Sequence, residues 1–122
     1  MKTAKDYLAE ANAAVERIGI DKARELIGQG ALVVDVRDGT ELAAAGRLRG
    51  ALHVPRGMLE FKADTTAPTH DPEFAPERTV VVYCGSGGRA ALAGKVLKEM
   101  GYRSVFNIGG FKDWVEAGGE VD

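Results

Sequence analysis

Two short runs constrain this chain most: Ala31-Leu32-Val33-Val34-Asp35-Val36 and Thr79-Val80-Val81-Val82-Tyr83. Both are nearly unbroken in apolar and β-branched side chains, with no alternation of polar and apolar. A strand with one wet face alternates, whereas a strand covered on both faces does not. Such runs, separated by helical patterns, imply a parallel sheet with helices on both sides. The fold class read here is α/β in three layers, with a central sheet of about five strands. At 122 residues the chain has room for one domain and one core.

The remaining elements fit that plan. Thr3-Ala4-Lys5-Asp6 reads as a capping box, followed by Tyr7, Leu8, Ala11, Ala14 and Val15 at helical spacing. Arg17-Ile18-Gly19-Ile20 suits a short edge strand, and Asp21 suits the cap of a helix running to Ile27. Thr40 to Ala45 reads as a short helix stopped by Gly46. Ala51-Leu52-His53-Val54 reads as a strand closed by Pro55, which cannot donate to a ladder. Residues 62 to 78 carry three prolines and no periodicity, which reads as a long surface loop with a turn at Asp71–Phe74. A helix with Leu92, Val96, Leu97 and Met100 on one face ends at Gly101. The strand Ser104–Ile108 and a helix from Phe111 to Ala117 complete the chain.

Cys84-Gly85-Ser86-Gly87-Gly88-Arg89 joins the second buried run to that helix and holds the only cysteine. Outside the carboxyl ends of the strands is where open α/β sheets bind ligands. A cysteine thiol has a pKa of about 8.5, so neutral pH leaves only a few per cent as the nucleophilic thiolate. A helix amino terminus stabilises a nearby anion by about 0.3–1 kcal/mol, less than the roughly 1.4 kcal/mol that a tenfold change requires. Further help must come from direct N–H donors and from Arg89. Three glycines let backbone amides turn inward into an anion-binding concavity, and arginine adds a permanent charge with a forked set of donors. A lone cysteine is commonly just a small buried hydrophobe. The joint order of strand, cysteine, glycine loop, arginine and helix favours the chemical reading.

These residues resemble the rhodanese family of sulfurtransferases. Cys84 to Arg89 match the family's C-x-S-G-x-R loop position by position. Leu32-Val33-Val34-Asp35-Val36-Arg37 is similar to its "(V/I)DVR" strand, and Gly46 to Pro55 to its "GHIPGAxxIP" segment. Gly109-Gly110-Phe111-Lys112-Asp113-Trp114, with Gly118, is similar to "GGxxxW…G". The likeness spans about residues 16–122, which leaves residues 1–15 as a helical extension to a single rhodanese domain. Arg47, Arg49 and Ala90 depart from the common pattern, and the two arginines could bring extra charge near a site.

The resemblance implies a double displacement. Cys84 takes the outer sulfur of a donor such as thiosulfate, forming a persulfide, and cyanide or a thiol then removes it. Gly85, Ser86, Gly87, Gly88 and Arg89 are the implied anion-binding loop, and no metal or organic cofactor is implied. Phosphatase and arsenate reductase relatives of the sheet carry C-x5-R loops, whereas four residues separate Cys84 from Arg89 here. The shorter ring suits one added sulfur atom better than a tetrahedral oxyanion. A persulfide carrier or partner-binding module, passing sulfur to an acceptor protein, is the second reading. A domain kept only for docking is the third.

Other residues admit two readings each. Asp35 and Arg37 end a strand at the same edge and either support the loop or form an architectural pair, with Arg37 in reach of Glu41. His53 is an acid or base, or a core or rim residue. His70 lines the substrate entrance, or only the long loop. Met58, Leu59 and Phe61 form an apolar rim or a short helix on the sheet, and Trp114 with Phe111 is core. A formal charge of −2 and the lack of a basic run argue against nucleic-acid or membrane partners. One cysteine, with no signal-peptide pattern at the amino terminus, suits the cytoplasm, where a free thiol stays reduced.

Overall fold

A computed structural model describes all 122 residues. Five strands, β1 (Glu16–Arg17), β2 (Leu32–Asp35), β3 (Leu52–His53), β4 (Val80–Cys84) and β5 (Val105–Gly110), form one sheet in the order β1-β5-β4-β2-β3. Every pairing is parallel. The two apolar runs are the central neighbours β2 and β4, every residue of which is buried.

The period-2 alternation of β4 divides the interior into two layers. Val80, Val82 and Cys84 join a cluster with Val15, Leu59, Phe74, Ala90, Ala93, Leu97 and Tyr102. Val81 and Tyr83 join the opposite cluster, with Ile18, Ala23, Phe111 and Trp114. One layer is therefore roofed by α5 (Gly88–Glu99) and α4 (Leu59–Ala63), and the other by α2 (Ile20–Gly28) and α6 (Phe111–Glu116). The three-layer reading of the sequence holds.

Details differ from the expected boundaries. Gly19, in extended backbone, is the N-cap of α2, and Asp21 lies inside its first turn, where an acidic side chain favours the helix dipole. The edge strand is Glu16–Arg17 rather than Arg17–Ile20. The helix α5 turns Ala90, Ala91, Ala93, Gly94 and Leu97 into the core, while Leu92, Val96 and Met100 are only half-buried. Small residues let this helix lie close to its neighbours. A Cβ at Gly94 would come within 2.9 Å of Val15 Cγ2.

The capping box of α1 (Ala4–Ala14) forms as read. Thr3 Oγ1 accepts from the Asp6 amide, and Asp6 Oδ2 accepts from the Thr3 amide. Residues 56–63 make a 3-10 turn (Arg56–Met58) and α4, so the short-helix reading is correct there. Leu59 is core, while Met58 and Phe61 are exposed. The stretch beyond is no free loop. Phe74 is buried edge-on against Tyr102, whose hydroxyl donates to Ala63 O at 2.7 Å. Burial, with Glu77 and Asp64 nearby, pushes the Tyr102 hydroxyl up to about 12. No helix is long and apolar enough to cross a membrane.

Candidate active site

Cys84 is the last residue of β4, with Sγ on the α5 side of the sheet and no solvent exposure. Two amides reach the sulfur. Gly87 N–H donates to Sγ at 2.9 Å and Ala90 N–H at 3.4 Å, so the first turn of α5 is aimed at it. Gly87 sits at φ +103°, a left-handed conformation that glycine adopts without steric cost. That residue turns the chain from loop to helix.

The loop is braced from β5. Asn107, buried among apolar neighbours, donates from Nδ2 to Gly87 O at 3.1 Å and accepts the Gly109 amide at 2.7 Å. Between Val82 and Tyr83 the β4–β5 register shifts by one residue, and the extra residue lets Gly109 and Gly110 face the cysteine end of β4. A Cβ at Gly110 would overlap Gly85 O. Gly110 is thus set by close approach, and Gly109 by its φ of +88°. Asn107 escaped the sequence reading, although an amide inside an otherwise apolar strand was its signal.

Arg89 is not the free cation expected from its place in the loop. Its Nη1 and Nη2 donate to Glu41 Oε1 and Oε2 at 2.6 and 3.0 Å. Glu41 belongs to α3 (Gly39–Ala45), where Oε1 also accepts the Asp38 amide at 3.0 Å in a capping box. The Arg89 hydrogen bonds, aided by the Asp38 amide, hold the Glu41 carboxyl down at about 2. The same bond raises Arg89, and the nearby Cys84 sulfur adds to that effect. The clasp ties the β2–α3 connection to the cysteine loop.

Arg37 meets Asp35 rather than Glu41. Arg37 Nε and Nη2 donate to the Asp35 carboxylate at 2.8–3.2 Å, and Nη2 also donates to Gly46 O at 2.7 Å. The Tyr83 hydroxyl donates to Asp35 Oδ2 at 2.6 Å and accepts the Leu48 amide at 3.0 Å. Burial, with that bond to Asp35, raises the Tyr83 hydroxyl above its ordinary range. Burial works against the Arg37 charge, but the Asp35 carboxylate overrides it and Arg37 is raised. Neither side chain bonds residues 85–89; the pair is tied to Gly46 and, through the Tyr83 hydroxyl, to the residue before Cys84.

His53 Nε2 donates to Arg37 O at 2.7 Å, and His70 Nε2 to Phe74 O at 2.8 Å, so both histidines serve local structure. The segment of Arg47 and Arg49 bridges to the carboxyl-terminal residues through Leu48 and Val121, with Arg49 near Asp122. Trp114 is core, and its Nε1 donates to Glu120 O at 2.9 Å.

A cleft of about 720 Å³ opens beside the loop. It is lined by Ser86, Gly88 and Arg89, by Leu92 and Val96 of α5, and by Tyr7 and Leu8 of α1. The family likeness begins after α1, yet α1 forms one wall of the cleft.

Residues 20–117 match the family model described as a rhodanese-like domain. Over 103 residues the chain is 36% identical to "Thiosulfate sulfurtransferase GlpE" of Pseudomonas entomophila (strain L48), covering 81% of this chain and 84% of that protein. A solved structure from Rhodopseudomonas palustris CGA009, described as a protein of unknown function and possible tyrosine phosphatase, superposes with a TM-score of 0.91 at 36% identity. It covers 100% of this chain and 96% of that one. The polysulfide-sulfur transferase homodimer of Wolinella succinogenes superposes with a TM-score of 0.77 at 33% identity, covering 97% and 85%. The parallel sheet, the cysteine loop at its edge and these likenesses agree, and the chain belongs to the family of rhodanese-like domains.

Proposed function

We propose that the protein is a sulfurtransferase that carries sulfane sulfur on Cys84. The observation that carries this reading is the position of Sγ: at the end of a central strand, with the Gly87 amide 2.9 Å away and the Ala90 amide behind it. Preorganised N–H donors stabilise charge on sulfur as an oxyanion hole does on oxygen. The thiolate attacks the outer sulfur of a donor such as thiosulfate. The donor's S–S bond breaks and its electron pair leaves with sulfite. The Cys84 persulfide then yields its outer sulfur to cyanide or a thiol, and the thiolate returns. This is covalent catalysis with ping-pong kinetics.

Arg89 keeps donors beyond the two that Glu41 takes, since a guanidinium has five. It binds the anionic end of the donor as an aligned donor set rather than as a loose charge. Residues 16–122 are the transfer domain, and residues 1–15 complete its cleft.

Thiosulfate:cyanide turnover followed as thiocyanate tests the proposal. Cys84→Ser is expected to abolish turnover while leaving the melting temperature near that of the parent. Retained turnover in that variant would falsify the role of Cys84. The four-residue spacing within the loop predicts no hydrolysis of p-nitrophenyl phosphate, and turnover of that ester would favour a phosphatase instead.

A further inference from the structure

The cleft is far larger than thiosulfate or cyanide requires. Its volume of about 720 Å³ falls in the range of sites that hold a whole organic ligand. Its walls are two helices locked to one another. Ala11 of α1 is fully buried, Val15 is core, and Gly94 of α5 lets Val15 approach closely. The walls are apolar, with Leu8 on one side and Leu92 and Val96 on the other. They also reach the reacting loop, since Leu8 Cδ2 lies 3.6 Å from where a Cβ would stand on Gly88.

Away from the loop, the cations of the cleft are paired, Lys95 with Glu99 at 3.3 Å and Arg56 with Glu60 at 2.8 Å. Arg89, with donors beyond those that Glu41 takes, stands at the loop end, where the anionic donor binds. The part of the cleft beyond it, with apolar walls and paired cations, does not select a highly charged hydrophilic ligand. It suits a neutral apolar body.

We infer that the α1–α5 cleft is the acceptor site for small organic thiols with an apolar chain, and that Leu8, Leu92 and Val96 set the preference. This rests on the sulfur-transfer reading above. The thiolate of the acceptor attacks the outer sulfur of the Cys84 persulfide. A new S–S bond forms, the old one breaks, and its electron pair stays on Cys84 Sγ, so no oxidant or reductant is needed. The chain of the acceptor lies along Leu8, Leu92 and Val96. The amino-terminal helix thereby becomes a specificity element.

The test uses the full-length protein with thiosulfate as donor. The acceptors are 2-mercaptoethanol, 4-mercaptobutanol and 6-mercaptohexanol, with glutathione as a charged hydrophilic thiol and cyanide as the acceptor with no chain. Acceptor kcat/KM is expected to rise with chain length by up to about two- to fourfold per methylene, as burial of apolar surface predicts, and to be low for glutathione. Leu8→Gln is expected to flatten that rise. Val96→Ser, on the other wall, is expected to do the same, so the result does not hang on one variant folding. A flat series in the parent protein, with cyanide turnover present, overturns the inference alone. A rise that persists undiminished in both variants removes it from this cleft. Absence of turnover with every acceptor, cyanide included, overturns the sulfur-transfer reading itself.

Discussion

Two carboxylate–guanidinium pairs stand near the carboxyl edge of the sheet, and they behave as opposites. Asp35 and Arg37 are almost completely enclosed, at 0% and 3% exposure. Tyr83 and Gly46 complete their hydrogen bonds, and the Arg37 guanidinium lies 4.4 Å from the Phe111 ring centre. Glu41 and Arg89 make an equally direct contact, yet their side chains are 35% and 38% exposed, and Arg89 borders the cleft. The chemistry is the same; the burial differs. An enclosed pair cannot be broken without stranding a charge, whereas an exposed pair adds little stability and stays available to a ligand. The first pair holds the sheet edge together, and the second ties the β2–α3 connection to the cysteine loop, with Arg89 on the cleft side.

Removing the two acids one at a time separates the enclosed pair from the exposed one. Asp35→Ala leaves Arg37 buried without its partner and is expected to cost about 3–5 kcal/mol, or roughly 10–20 °C in melting temperature for a domain of this size. Glu41→Ala is expected to cost at most about 1 kcal/mol. Thermal melts of the two variants decide the matter, and equal losses would show that burial does not separate them. Function should then invert the order of stability. Arg89→Ala is expected to melt near the parent while kcat/KM for thiosulfate falls roughly ten- to a hundredfold, as loss of hydrogen bonds to a charged group predicts. An unchanged kcat/KM would remove Arg89 from donor binding.

The smallest effect is the acid titration. Glu41 is held at about 2, below the ordinary carboxylate value of 4.5. Its contribution is therefore present above pH 4.5 and is lost as pH falls toward 2. Solvent screening keeps that contribution small. An NMR titration of the Glu41 side-chain carbonyl should show a midpoint near 2, and a midpoint near 4.5 would mean that the clasp is open in solution.

What could be read from the sequence follows a physical line. The strands β2 and β4 were legible because burial on both faces erases alternation. The cysteine loop was legible because its parts lie next to one another along the chain. The Glu41–Arg89 clasp was not, since 48 residues separate the partners and only the placement of β2 beside β4 brings them together. Arg37 is nearer to Glu41 along the chain and was the natural guess. In α5, apolar periodicity pointed to Leu92, Val96 and Met100, but close packing chose alanine and glycine for the core and left Leu92 and Val96 to the cleft. The stretch from 62 to 78 lacks periodicity because it is anchored by single residues such as Phe74 rather than by a face.

The intact mass of the purified protein reports whether Cys84 carries sulfur. After thiosulfate, the mass should rise by one sulfur atom localised to Cys84, and cyanide should return it to the starting value. No added sulfur on a thiol shown to be reduced and reactive would mean that Cys84 is not the sulfur carrier.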